Sequence, residues 1–412
     1  MTTIFKRAGA ILLWAIVVAA LAAVIVPRFL DRRYYVGPAG GHYDGARFLN
    51  PDGEDTARAP GRGGRGGFLW RQATGDDGRP EWRVTLPMRT NKPEARIVGD
   101  RMVATWVGHA TVLVQTAGLN ILTDPVWSER AGPFGFGPKR VVAPGIAFAD
   151  LPKIDLIVVS HNHYDHLDLA TLKRLWERDR PLIVTALGND AILRSAGIEA
   201  TAVDWGGSVP VRPQAGAAPV RVHVTRNHHW SSRWFTDRNR ALWSSFVVTL
   251  PGGNLFFAGD TGFGDGRWAD EAAALGPIRL ALIPIGAFRF EPGQMRTGSH
   301  IGPVEAVEVF RRLRASRAIP IHWGTFRLSY EAWDTPPLLL DAALRCAGMM
   351  RRVPEVRGID LPPPRDEYSD FGVRLIGMPQ TIPAYAPPPA TAPVSAATMT
   401  RCLDTPEVRG LR

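Results

Sequence analysis

The six residues His161-Asn162-His163-Tyr164-Asp165-His166 put three imidazoles and a carboxylate into one short loop. Scattered core or surface histidines do not cluster in this way, and the chain has only 10 histidines in all. Imidazole nitrogen and carboxylate oxygen together suit a zinc-like cation at four- or five-coordinate geometry. The preceding run Ile154 to Ser160 is β-branched and apolar, the composition of a buried strand. Strand period then sends His161 and His163 to one side, where both can hold one ion. An amphipathic helix is expected from Leu167 to Trp176. Asp165 and His166 at its start would turn to a second position, so one loop serves two half-sites.

Two ions need further ligands, and other strand ends offer them. Arg221 to Thr225 reads as a strand running into Asn227-His228-His229, with His229 the expected ligand and His228 its competitor. Asn254 to Gly262 reads as a strand ending in the glycine-flanked Asp260, a small-residue turn that lets a carboxylate bridge two cations. Ala318 to Ile321 leads into His322. A Gly-Asp pair alone is ordinary turn chemistry; the pattern gains weight because these residues follow strands in this order.

The ordered set His161-x-His163-x-Asp165-His166, His229, Asp260 and His322 resembles the metallo-β-lactamase superfamily. Trp106 to Thr111, Leu122 to Val126, Phe257 to Gly262 and Ile321 to Phe326 are similar to the N-acyl-phosphatidylethanolamine phospholipase D branch, a likeness covering residues 95 to 335. The resemblance implies an α/β fold, the αββα sandwich of two sheets covered by helices. It also implies two zinc ions per chain: His161, His163 and His229 on one, Asp165, His166 and His322 on the other, and Asp260 bridging both.

The segment Gly286 to His300 departs from that branch, which usually carries a tyrosine and a Pro-Arg-Trp-Phe-Met run after the Gly-Ala pair. His300-x-x-Pro303-x-Glu305-Ala306 is kept, so His300 is a candidate for contacting substrate or protonating a leaving group, and a helix cap is the plainer reading. A helix from Pro303 to Ala315 should bury Val304, Val307, Phe310 and Leu313 on one stripe. Early strands are expected from Met102 to Gln115 and from Leu119 to Asp124. His109 and Asp124 on them are candidates for supporting the ligands, because a metal-bound histidine donates its other ring nitrogen to an acceptor.

Ala8 to Val26 is uninterrupted apolar sequence after Lys6 and Arg7, long enough to cross a bilayer as an anchor or to act as a signal segment. Basic residues flank both ends, so charge does not set its orientation; the catalytic domain is expected on the periplasmic or extracytoplasmic side. The expected organisation is an anchor over 1–30, a Gly/Pro/Arg-rich extension over 31–95, a catalytic domain over 96–375 and a disordered Pro/Ala-rich tail over 376–412. Cys346 and Cys402 are not expected to form a disulfide framework. A net charge of +10 favours anionic partners, a phospholipid or other anionic small molecule and the membrane itself, and the anchor argues against nucleic acid.

The expected function is metal-assisted hydrolysis, with the zinc pair lowering the pKa of water so that a nucleophile exists at neutral pH. A phospholipase D-type phosphodiesterase acting on N-acyl-phosphatidylethanolamine-like lipids is the first reading, with Asp165 and His300 as catalytic groups. A lactonase or carboxylic-ester hydrolase using the same metals is the alternative.

Overall fold

The computed structural model describes residues 2–53, 79–82, 90–211, 219–290, 296–349, 376–386, 388 and 392–411. Its strands are β1 (Met102–Gly108), β2 (Thr111–Thr116), β3 (Leu119–Thr123), β4 (Leu156–Val159), β5 (Leu182–Ala186), β6 (Thr201–Val203), β7 (Ser208–Val211), β8 (Val220–Thr225), β9 (Ser245–Thr249), β10 (Asn254–Phe257), β11 (Ile278–Pro284), β12 (Ala318–Ile321) and β13 (Pro379–Ile382). Its helices are α1 (Thr2–Leu30), α2 (Leu169–Asp179), α3 (Asn189–Ser195), α4 (Arg267–Ala273), α5 (Pro303–Leu313), α6 (Thr335–Cys346), α7 (Ala396–Leu403) and α8 (Pro406–Arg409).

The strands form a seven-stranded sheet, β13-β1-β2-β3-β4-β5-β6, and a six-stranded sheet, β12-β11-β10-β9-β8-β7. Strand β4 shows why both faces are apolar. Leu156 and Val158 point into the core between the sheets, while Ile157 and Val159 join the outer core beneath Leu172 and Leu175 of α2. Period-two alternation therefore gives a continuous apolar run when each face has a cover. Helices α4 and α5 pack in the same way on the outside of the second sheet, with α6 laid against α5, which completes an αββα sandwich.

Pairing fixes where the loops emerge. β3, β4, β5 and β6 run parallel, and so do β10, β11 and β12. The antiparallel steps through β2 and through β9 restore β1 and β8 to those same directions. The carboxyl ends of β1, β3, β4, β8, β10 and β12 consequently open onto one edge, where open α/β sheets place their ligands.

Four expectations need correction. The strand expected from Met102 to Gln115 is two strands, because the chain turns at Gly108-His109-Ala110, with His109 at φ 54°. The helix after the metal loop begins at Leu169, since Asp168 caps it by accepting from the Ala170 and Thr171 amides. The tail is built into the fold: β13 pairs antiparallel with β1, and the Arg279 guanidinium donates to the Ile382 and Pro383 carbonyls. Pro379 is tolerated there because it starts an edge strand. Cys346 and Cys402 form a disulfide that ties α6 to α7, and Leu403 is buried with Phe288 and Leu339.

Helix α1 is long and apolar enough to cross a membrane over Gly9–Leu30, and the described residues bury none of its apolar 18-residue window. The following arm packs on the sandwich: Phe48 and Tyr43 enter the main core, and the Asn50 side chain donates to the His229 carbonyl. The Arg-Gly stretch over 59–67 lies outside the described residues.

Candidate metal centre

Each candidate ligand sits just beyond a strand that ends at the shared edge. His161 lies two residues past β4, Asp260 three past β10, His322 directly after β12 and His229 four past β8. Several of these turns hold left-handed backbone, at His109 (φ 54°), Gly259 (φ 61°) and His322 (φ 60°). Such conformations cost energy outside glycine and persist where the surroundings impose them. Glycine at 259 is required twice over, since a Cβ there would come 2.6 Å from the Cβ of Ser160.

The side chains converge into two clusters around Asp260. Its Oδ2 lies 3.1 Å from His166 Nε2 and 3.0 Å from His322 Nε2, and 4.0 Å from both His161 Nε2 and His229 Nε2. His161 Nε2 is 2.8 Å from His163 Nδ1. Asp165 Oδ2 stands 3.5 Å from both His166 Nε2 and His322 Nε2. The ligand atoms of His161, His163, His229 and Asp260 all fall within 4.8 Å of one another, and those of His109, Asp165, His166 and His322 do so as well. Among the described residues, the buried His166 Nε2, His229 Nε2, His322 Nε2 and Asp260 Oδ1 have no hydrogen-bond partner. Orphaned buried nitrogens aimed at ionised oxygens are what cation ligation requires, so the donor set fits a metal pair.

The outward-facing ring nitrogens of His161, His166, His229 and His322 meet acceptors, which assigns their tautomers. His166 Nδ1 donates to Asp124 Oδ2 at 2.6 Å. Ser160 Oγ donates to the same oxygen at 2.5 Å and accepts from His161 Nδ1 at 2.9 Å. His229 Nδ1 donates to the Ser299 carbonyl at 2.9 Å, and His322 Nδ1 faces the Gly286 carbonyl at 3.4 Å. Nε2 of these four histidines therefore points inward, whereas His163 presents Nδ1. His109 Nε2 donates to Asp165 Oδ2 at 2.9 Å and orients that carboxylate. His228 faces away, paired with Asp52 at 2.9 Å.

Electrostatics divide the clusters. Burial and the neighbouring imidazoles push His161 and His229 well below the ordinary histidine range, and burial brings His163 down to about 4. These three are neutral, the form in which imidazole ligates. Burial also opposes a charge on His322, but Asp260 and Asp165 outweigh it and lift the ring to about 9. Burial likewise works against Asp165 and Asp260, yet the His166 charge, with the His109 hydrogen bond at Asp165 and the His322 charge at Asp260, holds both carboxyls well below the usual carboxylate range. His300 enters from the other side. Its Nδ1 lies 3.9 Å from Asp260 Oδ2 without a hydrogen-bond partner, and burial brings the ring down to about 4.

The chain is similar to known proteins. Residues 119–323 match the Beta-lactamase superfamily domain. The chain is 40% identical over 261 residues to N-acyl-phosphatidylethanolamine-hydrolyzing phospholipase D 1 of Caenorhabditis elegans, covering 61% of this chain and 72% of the relative. It is 33% identical over 251 residues to the mitochondrial N-acyl-phosphatidylethanolamine-hydrolyzing phospholipase D of Saccharomyces cerevisiae, covering 60% of this chain and 53% of that protein. The chain belongs to the metallo-β-lactamase superfamily. Its place is in the N-acyl-phosphatidylethanolamine phospholipase D-like branch, and it is a metal-dependent hydrolase. Among solved structures, the metallo hydrolase Igni18 of Ignicoccus hospitalis aligns with a TM-score of 0.47 at 19% identity, covering 68% of this chain and 97% of that one.

Three supporting groups escaped the sequence reading. Ser160 bridges Asp124 to His161, and the Ser299 carbonyl holds His229. Buried Glu331 accepts from the Ala287 and Arg289 amides, fixing the loop whose Gly286 carbonyl faces His322. Serine followed by histidine at a strand end was the only one of these with a side-chain signal.

Proposed function

We propose that the chain is a membrane-associated, zinc-dependent phosphodiesterase of the phospholipase D type that acts on N-acyl-phosphatidylethanolamine-like lipids. The observation that carries this reading is Asp260 standing between two ligand clusters at one sheet edge, in a chain 40% identical to a phospholipase named for that substrate. His161, His163 and His229 would hold one ion, His166, His322 and Asp165 the other, and Asp260 both. Zinc bound there would polarise a phosphoryl oxygen and make water acidic enough to supply a nucleophile at neutral pH.

The remaining work falls to the chain. Asp165, oriented by His109, takes the proton of the attacking water. That water oxygen bonds to phosphorus, and the bond from phosphorus to the N-acylethanolamine oxygen breaks. The proton taken up by Asp165 passes to that departing oxygen, directly or relayed by His300, whose ring otherwise binds the headgroup. The products are phosphatidic acid and an N-acylethanolamine. The anchor over residues 8–26 concentrates the enzyme on its substrate, and the disulfide between Cys346 and Cys402 supports an oxidising, extracytoplasmic side for the domain.

The test uses zinc-loaded full-length protein on vesicles containing N-acyl-phosphatidylethanolamine. Release of phosphatidic acid is expected. Ring opening of lactones with no phosphatidic acid would replace this reading with the lactonase.

A further inference from the structure

Helix α1 does not end in open solvent. The Ser231–Asp237 segment grips its last turn: the Trp234 indole donates to the Phe29 carbonyl, and the Thr236 amide donates to the Leu30 carbonyl at 2.8 Å. The rings of Phe29 and Trp234 pack edge to face at 5.4 Å, and the Arg32 guanidinium lies 4.0 Å from the Trp234 ring centre. The same segment reaches the metal loop. Arg233 donates to the Asn162 and Leu167 carbonyls at 3.1 and 2.9 Å, and the Tyr164 hydroxyl donates to the Arg233 carbonyl at 2.8 Å. One short stretch of chain thus clasps the membrane-span candidate on one side and the ligand loop on the other.

Around this clasp, large apolar rings face solvent. Phe134 is 83% exposed and Phe235 is 61% exposed, and Phe134 stands 6.4 Å from Trp234. A cavity of about 490 Å³, lined by Phe134, Tyr164, Asp168 and Arg233 among others, opens beside them. Exposed aromatics with arginines at the end of an apolar helix match the chemistry of the headgroup region, where amphipathic rings settle and cations meet lipid phosphate.

We infer that this surface, Phe134, Trp234 and Phe235 with Arg32, is a docking face that seats the domain in the lipid headgroup layer where α1 leaves the bilayer. The inference rests on the membrane reading of α1. Continuity with an apolar helix that the described residues leave uncovered up to its clasped last turn argues for a bilayer over a second protein copy. Docking there would hold the His161–His166 loop close to the lipid surface through Arg233, so that a headgroup reaches the ligands with little displacement from its leaflet.

Single labels test the inference on the full chain, since both native cysteines are bonded to each other. Phe134→Cys and Phe235→Cys, with Val98→Cys as an exposed control and Ala20→Cys as a reporter inside α1, each carry an environment-sensitive fluorophore. The proteins are placed in phosphatidylcholine–phosphatidylglycerol vesicles containing a spin-labelled quencher lipid. Quenching is expected at 134, 235 and 20 but not at 98. Quenching at 20 with water-like signals at 134 and 235 would overturn the docking face while keeping the anchor. No quenching at 20 would remove the anchor and the docking face with it. Shielding at 134 that grows with protein concentration, without lipid quenching, would assign the patch to a second copy and also overturn the inference.

Discussion

The two ligand clusters share one oxygen and differ in charge. Around His161, His163 and His229 there are three neutral rings, and the nearest anion is Asp260, 4.0 Å from two of them. Around His166 and His322 there are two carboxylates, with Asp260 near 3 Å and Asp165 at 3.5 Å. A divalent cation is held by Coulomb attraction as well as by donor pairs, and attraction in a buried site is strong. The carboxylate-rich cluster should therefore bind more tightly, and the imidazole cluster should depend on ring geometry and on Asp260. Stepwise chelation should remove the first equivalent of metal from the His161 side. Substituting cobalt and following its absorption as His161→Ala or His322→Ala loses one site would show which leaves first.

The largest expected effect comes from the group common to both clusters. Asp260→Asn should cut turnover by about 10³-fold or more, because metal stabilisation of transition-state charge is worth several kcal/mol. It should lower the metal content of both sites, measured by elemental analysis. Full occupancy with near-normal turnover would show that Asp260 joins neither cluster. His300→Ala comes next. It should keep both metals and, if the ring protonates the leaving oxygen, lose about 10² to 10⁴ in rate on an alkyl phosphodiester. The loss should be smaller on a nitrophenyl ester, whose leaving group needs no proton. A raised KM with unchanged kcat would make His300 a headgroup contact.

Below these lies a contrast between supporting groups. Asp124 accepts from both His166 and Ser160, so it serves both clusters, whereas the Ser160 hydroxyl bonds, among the ligand rings, to His161 alone. Outer partners of ligating histidines are worth about 10- to 100-fold in metal affinity. Asp124→Asn should weaken both sites by that amount, and Ser160→Ala the His161 side alone, read by competition with a chromogenic chelator. Equal weakening of both sites by Ser160→Ala would break the division drawn between the clusters.

Why some of this was legible in the sequence follows from where each residue sits. Ligands at strand ends carry their own side-chain identity directly after an apolar run, so His161, His163, His229, Asp260 and His322 could be picked out residue by residue. Asp124 could be singled out because a buried aspartate at a strand end is a natural acceptor. The carbonyls of Ser299 and Gly286 carry no such signature, since a backbone acceptor exists at every position. Strand β13 and the disulfide were hidden for a different reason: Pro379–Ile382 gains its conformation from β1, and Cys402 meets Cys346 across 56 residues. The break at His109 was also lost, because the apolar pattern runs on through a turn that only a left-handed backbone reveals.

The smallest expected effect sets adjacent histidines against each other. His229 presents Nε2 to Asp260, whereas His228 donates to Asp52, a carboxylate near the end of the described arm that follows α1. His229→Ala should therefore lose metal and activity, and His228→Ala should keep both metals and leave turnover within about threefold. Its cost should appear as stability instead, on the order of 1 kcal/mol for an acceptor deprived of one partner. Burial works against the Asp52 charge, but the Asp265 amide and His228 outweigh it and set its pKa below the ordinary 3.8. A carboxyl lowered by folding stabilises above its unfolded pKa, and that contribution disappears as pH falls through the folded value. The Tm difference between wild type and His228→Ala should thus be present at pH 7 and shrink below about pH 4. A difference that stayed constant into acid would mean that His228 acts by packing alone. Metal loss in His228→Ala would mean that the arm carrying Asp52 helps to position His229.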